Sequence, residues 1–152
     1  IRIGVFETNS SSCHSLVIDP HGSYIQNPVS PMEAEQGYIN INPGEFGWDV
    51  KTFCDRDTKL SYLVTDILRD LPEDTDLDTL SSPKLTLLKE AVMSFTGLSI
   101  RIVAQTNSYW NFGYIDHQSN DIPGDVWNMG IDGIINFVFK NTSTLHTDND
   151  NY

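Results

Sequence analysis

Thr58-Lys59-Leu60-Ser61-Tyr62-Leu63-Val64-Thr65-Asp66-Ile67-Leu68-Arg69-Asp70-Leu71 decides the fold class of this chain. Leu60, Leu63, Val64, Ile67, Leu68 and Leu71 recur at three- and four-residue spacing, so the pattern predicts a helix over 58–71 with one apolar stripe. Asp55 or Asp57 supplies a side-chain oxygen to cap its start, and Pro72, which has no backbone N–H, stops it. A helix with one apolar stripe needs another element to cover it.

The rest of the chain offers that cover. Ser82 as N-cap, Pro83 in the first turn and Gly97 just past the end delimit a second helix over 83–96, with Leu85, Leu88, Val92 and Phe95 on its buried face. Short β-rich or alternating runs predict strands at 1–6, 15–19, 37–42, 98–104, 111–117 and 142–147, and 20–31 reads as loop. The apolar run 131–139 fits either a third helix or a buried strand, since a short run does not separate the two. The expected architecture is α+β: a single domain over 1–152, with one mixed or antiparallel sheet packed by two main helices.

With 39% hydrophobic and 20% charged residues, 152 residues are enough to bury a core. No apolar run approaches the roughly 20 residues of a membrane span, and no signal-peptide pattern opens the chain, so a cytoplasmic location without membrane association is expected. Cys13 and Cys54 have no zinc-ligand spacing and read as free thiols. The 21 acidic and 9 basic residues leave a net charge of −12, which disfavours direct nucleic-acid binding. Asp55, Asp57, Asp66, Asp70, Glu73, Asp74, Asp76 and Asp78 crowd into one window. They read as a solvated helix face and loop, and alternatively as a docking surface for a basic protein.

Glu7-Thr8-Asn9-Ser10-Ser11-Ser12-Cys13-His14-Ser15 joins two apolar runs with far more chemistry than a turn requires. Its carboxylate, carboxamide, hydroxyls, thiol and imidazole suit the binding of an anion or proton chemistry on a polar ligand. Serines and backbone amides after a strand can cradle an anion, although this loop has no glycine. The same stretch can equally be a long hairpin loop satisfying its own backbone. Asp116 and His117 in Tyr114-Ile115-Asp116-His117-Gln118-Ser119 add a carboxylate and a group that titrates near neutrality. In His146-Thr147-Asp148-Asn149-Asp150 the alternating oxygen ligands suit a hard divalent cation, but no EF-hand loop follows. Phe46, Trp48, Trp110, Phe112, Tyr114 and Trp127 read mostly as core.

Four stretches together resemble a family of uncharacterised bacterial and bacteriophage proteins, from end to end of the chain. They are Phe6-Glu7-Thr8-Asn9-Ser10-Ser11-Ser12-Cys13-His14-Ser15, Glu45-Phe46-Gly47-Trp48 with Lys59-Leu60-Ser61-Tyr62-Leu63, Tyr114-Ile115-Asp116-His117-Gln118-Ser119, and Thr147-Asp148-Asn149-Asp150. The resemblance implies no named activity, but its shared pieces are polar, as in a site. Cys13 stands where a Ser or Thr is expected, which removes a hydroxyl.

Two classes of function fit these residues. The first is a small enzyme, a hydrolase or transferase acting on a phosphate- or nucleotide-like molecule, with a divalent metal as an optional aid. Glu7, His14, Asp116 and His117 would be its catalytic groups, and Asn9, Ser10, Ser12, Gln118 and Ser119 its ligand-binding groups. The second is a non-catalytic acidic protein, a phage-encoded inhibitor or a virion component, docking through 55–78.

Overall fold

The computed structural model describes residues 12–47, 50–69, 71–72, 74–105, 111–115 and 125–149, and of Ser12–His14, Asp125, Asp148 and Asn149 only the backbone. In chain order the elements are β1 Ser12–Val17, α1 Pro31–Gln36, β2 Tyr38–Ile41, β3 Glu45–Phe46, β4 Lys51–Phe53, α2 Arg56–Leu68, α3 Pro83–Thr96, β5 Ser99–Ile102, β6 Tyr114–Ile115, α4 Asp125–Asn128, α5 Gly130–Phe139 and β7 Thr144–Asn149. The fold is α+β. Among the described residues its strands form three small sheets instead of one: antiparallel β1-β7-β4, parallel β2-β5 and parallel β3-β6. The predicted strand at 1–6 lies outside the described residues.

Both main helices follow from local chemistry. Asp55 caps α2 by accepting the Thr58 N–H at 2.8 Å, so the helix starts at Arg56, two residues earlier than the expected 58. It ends at Leu68, short of Pro72. Ser82 caps α3 by accepting the Leu85 N–H at 3.1 Å. Gly97 closes α3 at φ 77°, a left-handed conformation in which only glycine carries no Cβ penalty. The 131–139 run is the helix α5. A further helix, α1, occupies the end of the predicted loop and beyond. Ser30 and Glu33 form its capping box, the Ser30 hydroxyl accepting the Glu33 N–H while the Glu33 carboxylate accepts the Ser30 N–H.

The expected apolar face of α2 is buried: Leu60, Leu63, Val64, Ile67 and Leu68 are each at most 9% exposed. So is much of the opposite face. Lys59, Tyr62, Thr65 and Asp66 are also buried, because α2 lies inside a ring formed by α3, α5, β2 and β6. The expectation of a solvated acidic face on α2 is therefore corrected at Asp66. Leu85, Leu88, Ala91 and Val92 of α3 and Ile134, Phe137, Val138 and Phe139 of α5 complete the core. Ile67→Ala removes a buried side chain with little room to collapse, and we expect it to cost about 2–5 kcal/mol on chemical denaturation. A loss below about 0.5 kcal/mol would contradict the packing.

Candidate functional site

β1 and β7 run antiparallel, and their common root is bolted to the helices. The α5 C-terminus leaves backbone carbonyls that need donors. Lys59 Nζ donates to the Lys140 carbonyl at 2.9 Å and the Ser143 carbonyl at 3.0 Å, and the Ser143 hydroxyl donates to the Asn136 carbonyl at 2.6 Å. That hydroxyl also accepts the Asp19 N–H at 2.9 Å, tying the exit of β1 to the entry of β7. Lys140 Nζ donates to the Pro20 and Gly22 carbonyls and lies 4.2 Å from the Tyr24 ring centre. Both lysines are buried. Burial pushes the Lys59 amine down to about 8, although Cys54 and Asp55 pull it back up.

From this root the strands carry polar residues outward. The register pairs Val17 with Thr144, Leu16 with Leu145, Ser15 with His146, His14 with Thr147, Cys13 with Asp148 and Ser12 with Asn149. The described parts of the first and last polar stretches, Ser12–Ser15 and His146–Asn149, thus lie side by side at the far end of one strand pair. Loop closure between residues so distant in the chain comes from the core beneath, where Leu145 is fully buried and Leu16 and Phe53 pack against it. On the other flank β4 pairs Lys51 with Thr147, Thr52 with His146 and Phe53 with Leu145. There the Thr52 hydroxyl and His146 Nδ1 are 2.8 Å apart.

The described parts of the second and third stretches also meet, at Glu45–Phe46 and Tyr114–Ile115. β3 and β6 pair Glu45 with Tyr114 and Phe46 with Ile115. Phe46 stacks edge-on against Tyr62 and Phe53, with ring centres 5.1 and 6.5 Å away, which joins this pair to the core under β4. Gly113, at φ 78°, permits the close approach, since a Cβ there would lie 2.4 Å from the Gly44 carbonyl oxygen. The predicted strand 111–117 is thus confined, among the described residues, to Tyr114–Ile115, following a turn. Phe46 and Phe112 are buried as expected, whereas Tyr114 is 37% exposed.

Of the predicted site residues, Ser12 and His14 lie on β1 as given above. Glu7, Asn9, Ser10, Asp116, His117, Gln118 and Ser119 lie outside the described residues, as does the expected meeting of the N-terminal loop with 114–119. Among the described residues no three His, Cys, Asp or Glu side chains are placed to hold a metal, and Cys54 is a free, exposed thiol.

Arg56 carries no signal in the sequence, and Asp66, expected on a solvated face, is buried; both charged groups tie helices together. Arg56 grips Glu33 with two hydrogen bonds of 2.8 and 2.7 Å, donates twice to Asp57 and once to the Pro28 carbonyl. It borders a cleft of about 230 Å³ with Ile25, Asn27, Ser30 and Glu33, but all of its N–H groups are occupied, so it ties α1 to α2 and leaves no donor for a ligand. The Arg56 guanidinium, with the Ser30 cap, holds the half-buried Glu33 carboxyl down to about 2 despite some desolvation. This tie therefore stabilises the fold above the ordinary value of 4.5 and is lost as pH falls toward 2. At neutral pH Glu33→Gln should cost about 1 kcal/mol, and the gap from the parent should close between pH 5 and 2.5 in urea titrations. A gap that widens on acidification would contradict the pairing. The second group, Asp66, accepts hydrogen bonds from Lys84 Nζ at 3.0 Å and Trp127 Nε1 at 2.9 Å.

Comparison with protein-family models, curated proteins and solved structures finds no match to this chain. Among the described residues no helix is long and apolar enough to cross a membrane.

Proposed function

We propose that this protein binds a small phosphate-bearing or nucleotide-like molecule at the far end of the β1–β7 pair and acts on it as a hydrolase or transferase. One observation carries the reading: the register sets Ser12, Cys13 and His14 beside Asn149, Asp148 and Thr147. In this proposal Asn9, Ser10 and Ser12 hold the anion, and Glu7 and His14 exchange protons with it or ligate a divalent metal. Asp116, His117, Gln118 and Ser119 complete the site from the segment after β6. The setting is the cytoplasm of a bacterium or a phage-infected host, in keeping with the family that the four polar stretches resemble.

A thermal-shift screen with nucleotides, sugar phosphates, inorganic phosphate and divalent metals tests it, because a ligand that binds only the folded state raises stability by mass action. His14→Ala and His117→Ala should each abolish the ligand-induced shift while leaving the unliganded Tm nearly unchanged, and their combination should be non-additive. Additive losses, or no shift with any phosphate compound, would overturn the proposal.

A second reading has its own support: Asp74, Asp76 and Asp78, between α2 and α3, are all exposed and suit a basic partner protein. Changing the three to Asn would abolish retention of such a partner and leave small-molecule binding intact.

A further inference from the structure

We propose that His146, oriented by the Thr52 hydroxyl, contacts the phosphate of a bound ligand on the outward face of the β1-β7-β4 sheet. The inference rests on the phosphate reading above and adds residues that reading does not use, on the sheet face opposite to that of the Ser12–Asn149 and His14–Thr147 pairs. Alternation along β7 separates two faces. Leu145 and Thr147 are buried and face the core, while Thr144 and His146 are half-buried and belong to the opposite face. On the neighbouring strands the partners of His146 are Ser15 and Thr52, both exposed. An imidazole therefore sits in the middle of a cross-strand row with a hydroxyl residue on each side, the row spanning about 10 Å at ordinary strand spacing.

The Thr52 contact occupies Nδ1 and leaves Nε2 to meet a ligand. With the Thr52 Oγ1–Nδ1 distance at 2.8 Å, a hydroxyl that donates to Nδ1 leaves the proton on Nε2. If the ring is instead protonated, Nδ1 donates to Thr52 Oγ1 and Nε2 again carries a proton. These two states present an Nε2–H donor to an anionic oxygen, and the remaining neutral tautomer, whose Nδ1–H donates to Thr52 Oγ1, offers Nε2 as an acceptor for a phosphate O–H; Nε2 has no hydrogen-bond partner among the described residues. The Ser15 hydroxyl adds a neutral donor on the other side of the ring, which suits phosphate recognition in a chain of net charge −12.

Ring 1H–15N spectra recorded with inorganic phosphate and pyrophosphate as probes test the assignment. The His146 nitrogens should shift saturably, and His146→Gln should lose phosphate binding. Thr52→Val should weaken binding about tenfold, the equivalent of one hydrogen bond, at an unchanged Tm. Thr52→Ser should restore it. Phosphate that stabilises the protein and perturbs His14 or His117 but leaves His146 unmoved would overturn this inference and spare the broader reading. So would phosphate binding by Thr52→Val as tight as the parent's. Absence of any phosphate response would overturn both.

Discussion

Lys59→Ala destabilises the fold by about 3–5 kcal/mol, because it removes both a buried stem and the donor for two carbonyls. Lys59 is fully buried, its Nζ bonds the Lys140 and Ser143 carbonyls, and it lies 5.6 Å from the Phe137 ring centre. Lys59→Met keeps the stem and sheds the desolvated charge, so it should cost less, about 1–3 kcal/mol for the Ser143 carbonyl that loses its Lys59 donor, the Lys140 carbonyl still accepting the Ser143 N–H at 3.2 Å. The pH dependence separates charge from hydrogen bonding. Burial lowers the amine from 10.5 to about 8, so below pH 8 folding carries the penalty of a desolvated ammonium. Between pH 8 and 10.5 the unfolded chain holds a proton that the folded chain has released, and stability from this group rises with pH, by at most about 3 kcal/mol. The neutral amine still has two N–H donors for its two carbonyls.

The cost of Lys59→Met, measured by urea denaturation, should therefore grow from pH 7 to pH 10. Taking the difference between parent and variant at each pH matters, since burial raises the Tyr62 phenol and that group loses stabilising effect as pH climbs past 10. A difference that shrinks across this range would mean that Lys59 is not a desolvated donor.

Asp66→Ala should cost about 3 kcal/mol, the range for removing one partner of a buried charge cluster. The Asp66 side chain is 4% exposed, and its carboxylate gathers Lys84 from α3 and Trp127 from α4, with Arg69 at 3.6 Å. Lys84 is partly exposed and can return to water, whereas the Trp127 indole N–H loses its acceptor. Asp66→Asn retains one carbonyl acceptor and should cost about half as much. Asp74→Asn and Asp78→Asn, on exposed positions of the same acidic stretch, should stay within about 0.5 kcal/mol of the parent. A double-mutant cycle with Lys84→Met isolates the α2–α3 term, expected at about 0.5–3 kcal/mol. Equal, small effects at positions 66, 74 and 78 would return Asp66 to the solvated face expected from its sequence.

The contrast between Leu63 and Asp66 marks how far the amino-acid pattern reaches. Leu63 belongs to a stripe whose three- and four-residue spacing is local information, so its burial was legible. Asp66 sits in an acidic run, and its partners lie 18 and 61 positions further along the chain. No local pattern reports such a pairing. Lys59 is the same case, with acceptors 81 and 84 positions away. The short helix α1 was readable in principle, since Ser30 and Glu33 stand at capping-box spacing, yet its six residues carry no apolar period and merged with the preceding loop.

By itself the sequence determined the α+β class, the two capped helices with their apolar stripes, and the polar character of the stretches around His14 and His117. These rest on short-range propensity, capping and periodicity, which act between neighbours in the chain. Only the tertiary structure decided that α2 is enclosed on more than its apolar side, that α5 is a helix, that the strands divide among three sheets, and that Ser12–His14 run beside Thr147–Asn149. Strand register between distant segments is set by which apolar residues share the core, here Leu16, Phe53 and Leu145, and by lysines that satisfy the carbonyls at the root of β7. Those are long-range contacts whose energies exist only once the chain has closed, so they leave no local pattern to read.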